Sequence, residues 1–221
     1  MRKKFDLSSL PNRPDLTLEV DLWGQGCIRV AGIDEAGRGA WAGPVAAAVV
    51  ILPPKKEIYD ALAGVRDSKQ MTPGQRAEWA AIIQSLAFAW AVGTASHAEI
   101  DQIGIVPATR LAVIRGLEGL GVTPQHLLVD YLPLPEVSLS QTLLVKGDAR
   151  SLSIAAASVL AKTSRDTLLC QADEIYPQYG FARHKGYGTA FHQDAIQRYG
   201  PCPIHRMSFT PLKVFLSPEI C

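Results

Sequence analysis

The sequence has no surplus of charge. Its 221 residues carry 22 lysines and arginines against 21 aspartates and glutamates, a net charge of +1. A general polyanion binder has a clear basic excess, so nucleic acid as a partner has to rest on how the charges are distributed. A cluster of catalytic acids would itself offset a basic face. Cysteine is scarce: Cys27, Cys170, Cys202 and Cys221 are scattered and form no closely spaced pair. That argues against a disulfide framework and fits reduced thiols in a cytoplasmic protein. Long hydrophobic runs are missing too. The longest, 40 to 52, is interrupted by Gly43 and Pro44 and is too short to cross a bilayer. The basic start is not followed by the apolar stretch a signal peptide needs, so no membrane association is expected. There is no internal repeat, low-complexity segment or Gly/Ser linker. With 48% apolar and 19% charged residues, the chain suits one globular domain with a small appendage.

Residues 1 to 22 read as a poorly patterned arm. Residues 27 to 35 and 43 to 52 are β-branched and apolar, as buried strands are, with a glycine-rich connection between them. Thr72, Pro73 and Gln75 combine an N-cap, a proline at the first helical position and a capping-box glutamine. The helix they open carries Trp79, Ile83 and Leu86 at three- and four-residue spacing. Residues 87 to 95 return to a strand pattern. A second helix opens near Pro107, with Leu111, Ile114 and Leu117 stacked, and stops at Gly121. Short buried strands follow at 126 to 130 and 142 to 146. The alanine-rich stretch 152 to 169 reads as a buried helix, and another helix is expected around 190 to 198. Strands first, then strands alternating with helices, then helices imply an α/β layered core with a mixed sheet and a helical C-terminal appendage. The expected division is an arm (1–22), a core (23–180) and an extension packed on it (181–221).

Buried apolar strands rarely end in acids, because a desolvated carboxylate is unfavourable unless paired or bound to metal. Here the first strand ends in Asp34-Glu35, the fourth in Asp130, and the fifth runs through Lys146-Gly147 into Asp148. Ligands of α/β sheets collect at the carboxyl ends of strands, where acids from three strands would meet a hard cation with oxygen ligands. Each acid alone is equally well a turn or a helix cap; the joint pattern is the signal. Neighbouring side chains on a strand point to opposite faces. Asp34 and Glu35 therefore share a site only if the strand breaks, and Gly37-Arg38-Gly39 supplies a break.

The same loop places two bare backbones beside a cation, which suits phosphate. Lys69, Lys146 and Lys185 are further candidate phosphate contacts, as are Ser151 and Ser153 near a helix N-terminus. Tyr187, between Gly186 and Gly188, is a candidate for stacking on a sugar or base. Two rival motifs fall short. The spacing Gly37-x-Gly39-x-x-x-Gly43 loosely matches a dinucleotide fingerprint, but that pattern must open a helix, and a strand follows here. Cys202 and His205 with His184 or His192 lack the spacing of a zinc site.

The ordered series from Gly32-Ile33-Asp34-Glu35-Ala36-Gly37-Arg38-Gly39 and Gly43-Pro44-Val45 resembles ribonuclease HII. The likeness continues through Asp67-Ser68-Lys69, Leu128-Val129-Asp130, Lys146-Gly147-Asp148 and 154 to 162, then His184-Lys185-Gly186-Tyr187-Gly188-Thr189 and 200 to 209. It implies a ribonuclease H-like fold, a mixed β-sheet flanked by helices with a C-terminal helical extension. It implies four catalytic, metal-binding carboxylates, Asp34, Glu35, Asp130 and Asp148, and two divalent cations, Mg2+ or Mn2+. It further implies a loop of Gly37, Arg38 and Gly39 that reads the 2′-hydroxyl, and a tyrosine, Tyr187, that stacks on the sugar of the following deoxynucleotide. The expected substrates are RNA–DNA hybrids and duplex DNA carrying single ribonucleotides, and the expected state is a monomer. Asp166 lies outside the four acids and is read as structural. One departure stands out: Tyr131 follows the third acid, where the family commonly has glycine. The alternatives are another nuclease of the same fold, or a hybrid-binding protein without activity.

Overall fold

The computed structural model describes residues 10 to 216. Five strands form one sheet: β1 (Val30–Ala36), β2 (Val45–Ile51), β3 (Ala89–Ala95), β4 (His126–Asp130) and β5 (Gln141–Leu144). Their order across the sheet is β3-β2-β1-β4-β5. The first three run antiparallel to one another, whereas β4 lies parallel to β1 and β5 parallel to β4. The sheet is mixed, as the sequence implies. The helices are α1 (Thr17–Gly24), α2 (Ile58–Ala61), α3 (Pro73–Leu86), α4 (His97–Ile103), α5 (Ile105–Gly119), α6 (Leu152–Ile175), α7 (Phe181–His184) and α8 (Ala190–Tyr199). None of the described helices is long and apolar enough to cross a membrane.

Strand β2 is buried along its whole length, and its alternation divides the core. Ala48 and Val50 face α3 and α6, while Val45, Ala47, Val49 and Ile51 face α5. Small residues let the layers close. A β-carbon at Gly32 would lie 2.2 Å from the Ser153 carbonyl carbon, so the start of α6 sits directly on β1. On the other face, Gly93 of β3 meets the backbone of α5 at Ala112 and Gly116. The buried side of α5 is therefore Ala108, Ala112, Val113 and Gly116, with Leu111, Ile114 and Leu117 only half-buried beside it. Close approach to the sheet selects small side chains over the larger stripe that the sequence suggests. In α3 the capping box forms, and its buried residues are Arg76, Ala80 and Ile83; Leu86 is exposed.

Of the segment expected as an arm, residues 1–9 lie outside the described residues, and residues 10–22 pack against the core. Leu16, Leu18, Val20 and Leu22 alternate with a period of two, which reads as strand or as nothing, yet 17 to 24 is helix. What holds it is burial of Leu16 and Glu19 and a backbone bridge from Asp15 to Ser151. The C-terminal segment packs as a third core of its own, with Phe181, Ala195, Ile196, Cys202 and Leu212 closing on Ala42, Leu169 and Tyr179. Ala42 and Leu169 lie within residues 23–180, so packing is continuous across residue 180.

Gly32→Ala should be among the most damaging single changes outside the site. With backbone on both sides, neither partner can turn aside, and a loss of about 3 kcal/mol is expected in chemical denaturation. A variant within about 0.5 kcal/mol of wild type, the range of ordinary surface changes, would contradict this packing.

Candidate active site

The antiparallel β1–β2 pair and the parallel β1–β4–β5 set bring their acids to one edge. Asp34 lies near the end of β1, Asp130 is the last residue of β4, and Asp148 sits in a short 3-10 turn (Gly147–Ala149) just beyond β5. One carboxylate oxygen from each lies within 4.8 Å of the other two. Asp34 and Asp148 are buried and Asp130 is partly so. The turn is fixed to the strand, because the Gly147 amide donates to Asp130 Oδ1 at 2.8 Å.

Three carboxylates this close cannot all be charged comfortably. Burial first, then the charges of Glu35, Asp130 and Asp148, hold Asp34 well above the usual carboxylate range, with a hydrogen bond from Ser158 offsetting part of the rise. Asp130 is also raised, mainly by burial. Burial and the nearby Asp67 and Asp130 push Asp148 up to about 6, against the opposing pull of Lys69 and Lys146. Lys69 Nζ lies 3.9 Å from Asp148. Burial works against its charge, but Asp67, Asp148, Asp34 and Asp130 together keep its pKa above the ordinary value. An all-oxygen, acidic, partly desolvated donor set of this kind fits a hard divalent cation, and among the described residues this is the one such cluster.

Glu35 stands apart from the three. Strand β1 runs unbroken through Asp34 and Glu35 and ends at Ala36, and the break expected in the glycine loop begins at Gly37, whose φ is +92°. Glu35 Oε1 instead accepts from Arg38 Nη1 at 3.0 Å. Both acids nonetheless line one open cavity of about 570 Å3, together with Gly37, Arg38, Gly39, Lys69 and Tyr187. Ala36, Ser68, Ser158 and Lys162 complete its wall. Sequence reasoning passed over the last two. Ser158, Lys162 and Asp166 recur at four-residue spacing on an otherwise apolar helix, and that polar stripe was the available signal.

Other candidates lie elsewhere. Ser151 and Ser153 are fully buried and do not reach the cavity. Both hydroxyls donate to Glu19 Oε1, at 2.6 and 2.7 Å, as does the Ser153 amide at 3.0 Å. The N-terminus of α6 does hold an anion, as helix N-termini do, but the protein supplies it from α1. These two serines are removed from the phosphate-binding set. The Lys185 amine turns back onto the Ala182 carbonyl and is absent from the cavity wall. Lys146 is exposed and close enough to act on Asp130 and Asp148.

Two buried arginines hold the glycine loop. Arg165 donates to the carbonyls of Pro44, Lys185 and Ala42, and its guanidinium fills the space under Gly37 where a β-carbon would lie. Arg206 donates to Gly43 and Arg38. Neither has a carboxylate partner among the described ion pairs. Burial, with repulsion from Arg165, brings Arg206 down to about 9. Positive charge is thus built into the floor of the loop.

Tyr187 is positioned by histidines. The Cys202 amide donates to His205 Nδ1 at 2.8 Å, which leaves the His205 proton on Nε2. It faces His192 Nε2 at 3.0 Å, and His192 Nδ1 faces the Tyr187 carbonyl at 3.0 Å. Each of these three contacts then has one donor and one acceptor if both rings are neutral, with the Cys202 carbonyl 3.1 Å from the same His205 Nδ1. Burial lowers both to about 4, which agrees. These nitrogens serve one another.

The ribonuclease HII family profile matches residues 31–212. The chain belongs to the ribonuclease HII family. It is 53% identical over 202 residues to ribonuclease HII of Chloroflexus aurantiacus, covering 90% of this chain and 94% of that one. Against ribonuclease HII of a Synechococcus species it is 54% identical over 208 residues, covering 94% and 93%. The fold matches the crystal structure of ribonuclease H2 from Pyrococcus horikoshii with a TM-score of 0.70 at 25% identity, over 84% of this chain and 96% of that one. The protein is accordingly a ribonuclease H, an endonuclease acting on the RNA of RNA–DNA hybrids, and its mixed sheet with C-terminal helices is the fold of ribonuclease HII.

The raised acids give a test that needs no substrate. Asp148 has a folded-state pKa near 6 against an ordinary 3.8, so the folded protein takes up its proton more readily than the unfolded chain. That contribution to stability is present below about pH 4 and is lost as pH rises through 6. In chelator at pH 7, Asp148→Asn should therefore be more stable than wild type by about 2–3 kcal/mol, and the gain should vanish near pH 4. Equal stability at both pH values would mean that the carboxylate is not strained.

Proposed function

We propose that the enzyme cuts on the 5′ side of ribonucleotides, in hybrids and at single ribonucleotides in duplex DNA, leaving 5′-phosphate and 3′-hydroxyl ends. The observation that carries this reading is the meeting of a three-aspartate cluster with an open cavity of about 570 Å3 walled by a bare glycine loop and a fixed tyrosine. Asp34, Asp130 and Asp148, with Glu35 as the fourth carboxylate, would hold two divalent cations, Mg2+ or Mn2+. When bound, such ions supply charge for activating the attacking water and for the departing 3′-oxygen.

The remaining work belongs to the chain. Lys69 and Lys162, both on the cavity wall, offer cations to the phosphates flanking the cut. Lys146 does so on the β4–β5 side. The Gly37–Gly39 backbone, bare on the cavity wall, would read the 2′-hydroxyl, the group that separates RNA from DNA. Gly39 supports the assignment from the protein's own packing. Its φ is not positive, and a β-carbon there would meet nothing within 4 Å. The fold does not require glycine at 39, and the bare backbone leaves open space for an approaching group. Tyr187 would lie against the neighbouring deoxyribose. Contacts to sugar and phosphate carry little base information, so weak sequence preference follows.

Cleavage of a DNA duplex carrying one ribonucleotide, with Mg2+, with Mn2+ and with chelator, beside an all-DNA control, tests the reading. Metal-dependent cutting 5′ of the ribonucleotide with the control intact is expected. Cleavage of the all-DNA duplex would assign a different nuclease activity. Asp34→Asn should lose at least about 100-fold in kcat, the range for one essential electrostatic group, while still binding the hybrid. Gly39→Ala should fold with wild-type stability but cut ribonucleotide-containing duplex at least about tenfold less well, a one-methyl clash of about 1.4 kcal/mol. Full activity in Gly39→Ala would remove the loop from 2′-hydroxyl reading.

A further inference from the structure

Among the described residues, three non-glycine positions have positive φ: Tyr131 (56°), Lys146 (57°) and Lys185 (53°). They stand one residue after Asp130, two before Asp148 and two before Tyr187. Side chains in this region are strained, because the β-carbon crowds the following carbonyl, and such strain persists where function over-determines it. Two of the three are amines.

Tyr131 is the unusual member. Its backbone is dictated by the sheet edge: its amide donates to the carbonyls of both Val129 and Leu144, each at 3.0 Å, tying the end of β4 to β5. Glycine would adopt that turn without strain, so nothing in the backbone calls for an aromatic. Packing does not call for one either. The residue is 63% exposed, and no ring contact or side-chain hydrogen bond ties it to any described residue. An aromatic kept in a strained turn, in solvent, beside a cation-binding aspartate points to a partner outside the chain.

Its place in the sheet says where that partner lies. The Tyr187 segment pairs with the β1–β2 connection, the Trp41 amide donating to the Gly186 carbonyl at 2.8 Å, whereas Tyr131 follows β4, whose far neighbour is β5. In the order of the sheet Asp34 and Asp130 therefore fall between the two tyrosine segments, with Asp148 on the Tyr131 side. We propose that Tyr131 is a second aromatic contact for the nucleic-acid duplex, on the side of the cut opposite Tyr187. This rests on the function proposed above. Bases in a duplex are stacked on one another, so an exposed ring outside it meets sugars and phosphates. The Tyr131 ring covers the face of a backbone sugar, its hydroxyl donates to a neighbouring phosphate, and Lys146 supplies charge alongside. The contact adds affinity without sequence preference and extends the footprint past the acids.

Tyr131→Asn and Tyr131→Gly both keep a left-handed turn and remove the ring; Tyr131→Phe keeps the ring. Their melting temperatures should equal or exceed that of wild type, which excludes misfolding as the cause of any loss. For Asn and Gly, KM on an RNA–DNA hybrid should rise about fivefold or more, the lower end of an aromatic contact, with kcat changed less than about twofold. The dissociation constant for the hybrid in chelator, read by fluorescence anisotropy, should rise in parallel, and Phe should retain most of the affinity. Unchanged affinity and KM in both Asn and Gly variants, with wild type cleaving normally, would overturn the role of Tyr131 and leave the ribonuclease reading intact. Failure of wild type to cut any ribonucleotide-containing duplex would overturn both.

Discussion

Three aspartates drawn from three strand ends repel one another in a partly desolvated pocket, and much of the surrounding architecture serves to keep them there. Burial first, and then the charge of neighbouring carboxylates, holds Asp34, Asp130 and Asp148 above the usual carboxylate range, so the cluster takes up protons more readily than free acids do. A divalent cation relieves it better, since one ion answers two negative charges. Proton and metal therefore compete for the same oxygens. The site is destabilising without its ion, as sites built for function commonly are. Holding it together falls to the close seat of α6 on Gly32, the Glu19 carboxylate at the start of that helix, and the amide of Gly147 on Asp130.

The C-terminal segment completes the other half of the site. Without it the loop from Gly37 to Pro44 would have no partners on one side. With it, Arg206 grips Gly43 and Arg38, the backbone at 204 to 206 pairs with Trp41 and Gly43, and neutral histidines fix the carbonyl of Tyr187. Beneath the loop lie two buried arginines that make no ion pair among the described residues, Asp166 and Asp101 acting on them only from farther off. The near-zero net charge of the chain conceals this separation: acids on the strand ends, cations beneath the loop and along its rim.

Much of this was readable from residue order. Apolar runs ending in acids gave the strands and the cluster, and the glycine loop was legible because arginine and acids flank it. What was not readable has particular causes. Helix α1 carries apolar residues with strand spacing and is helical because Leu16 and Glu19 find buried places, which is tertiary information. Ser151 and Ser153 were plausible phosphate ligands until Glu19, over 130 residues away in sequence, was found in that position. Lys162 and Ser158 hid within a helix whose alanines dominated the reading. The left-handed turn at Tyr131 was flagged only as a departure from glycine. Its φ gives the physical reason that glycine would suit the position.

The central claim is that the strand-end aspartates form a cation site under tension, and proton release on metal binding tests it most directly. Calorimetric titration of Mn2+ into the intact enzyme at pH 6, in buffers of different ionisation enthalpy, counts the protons displaced. Binding should release protons, fewer as pH rises from 6 to 8, and Asp34→Asn should weaken both binding and release. Tight binding with no proton release at pH 6, or binding unaffected by Asp34→Asn, would contradict the account.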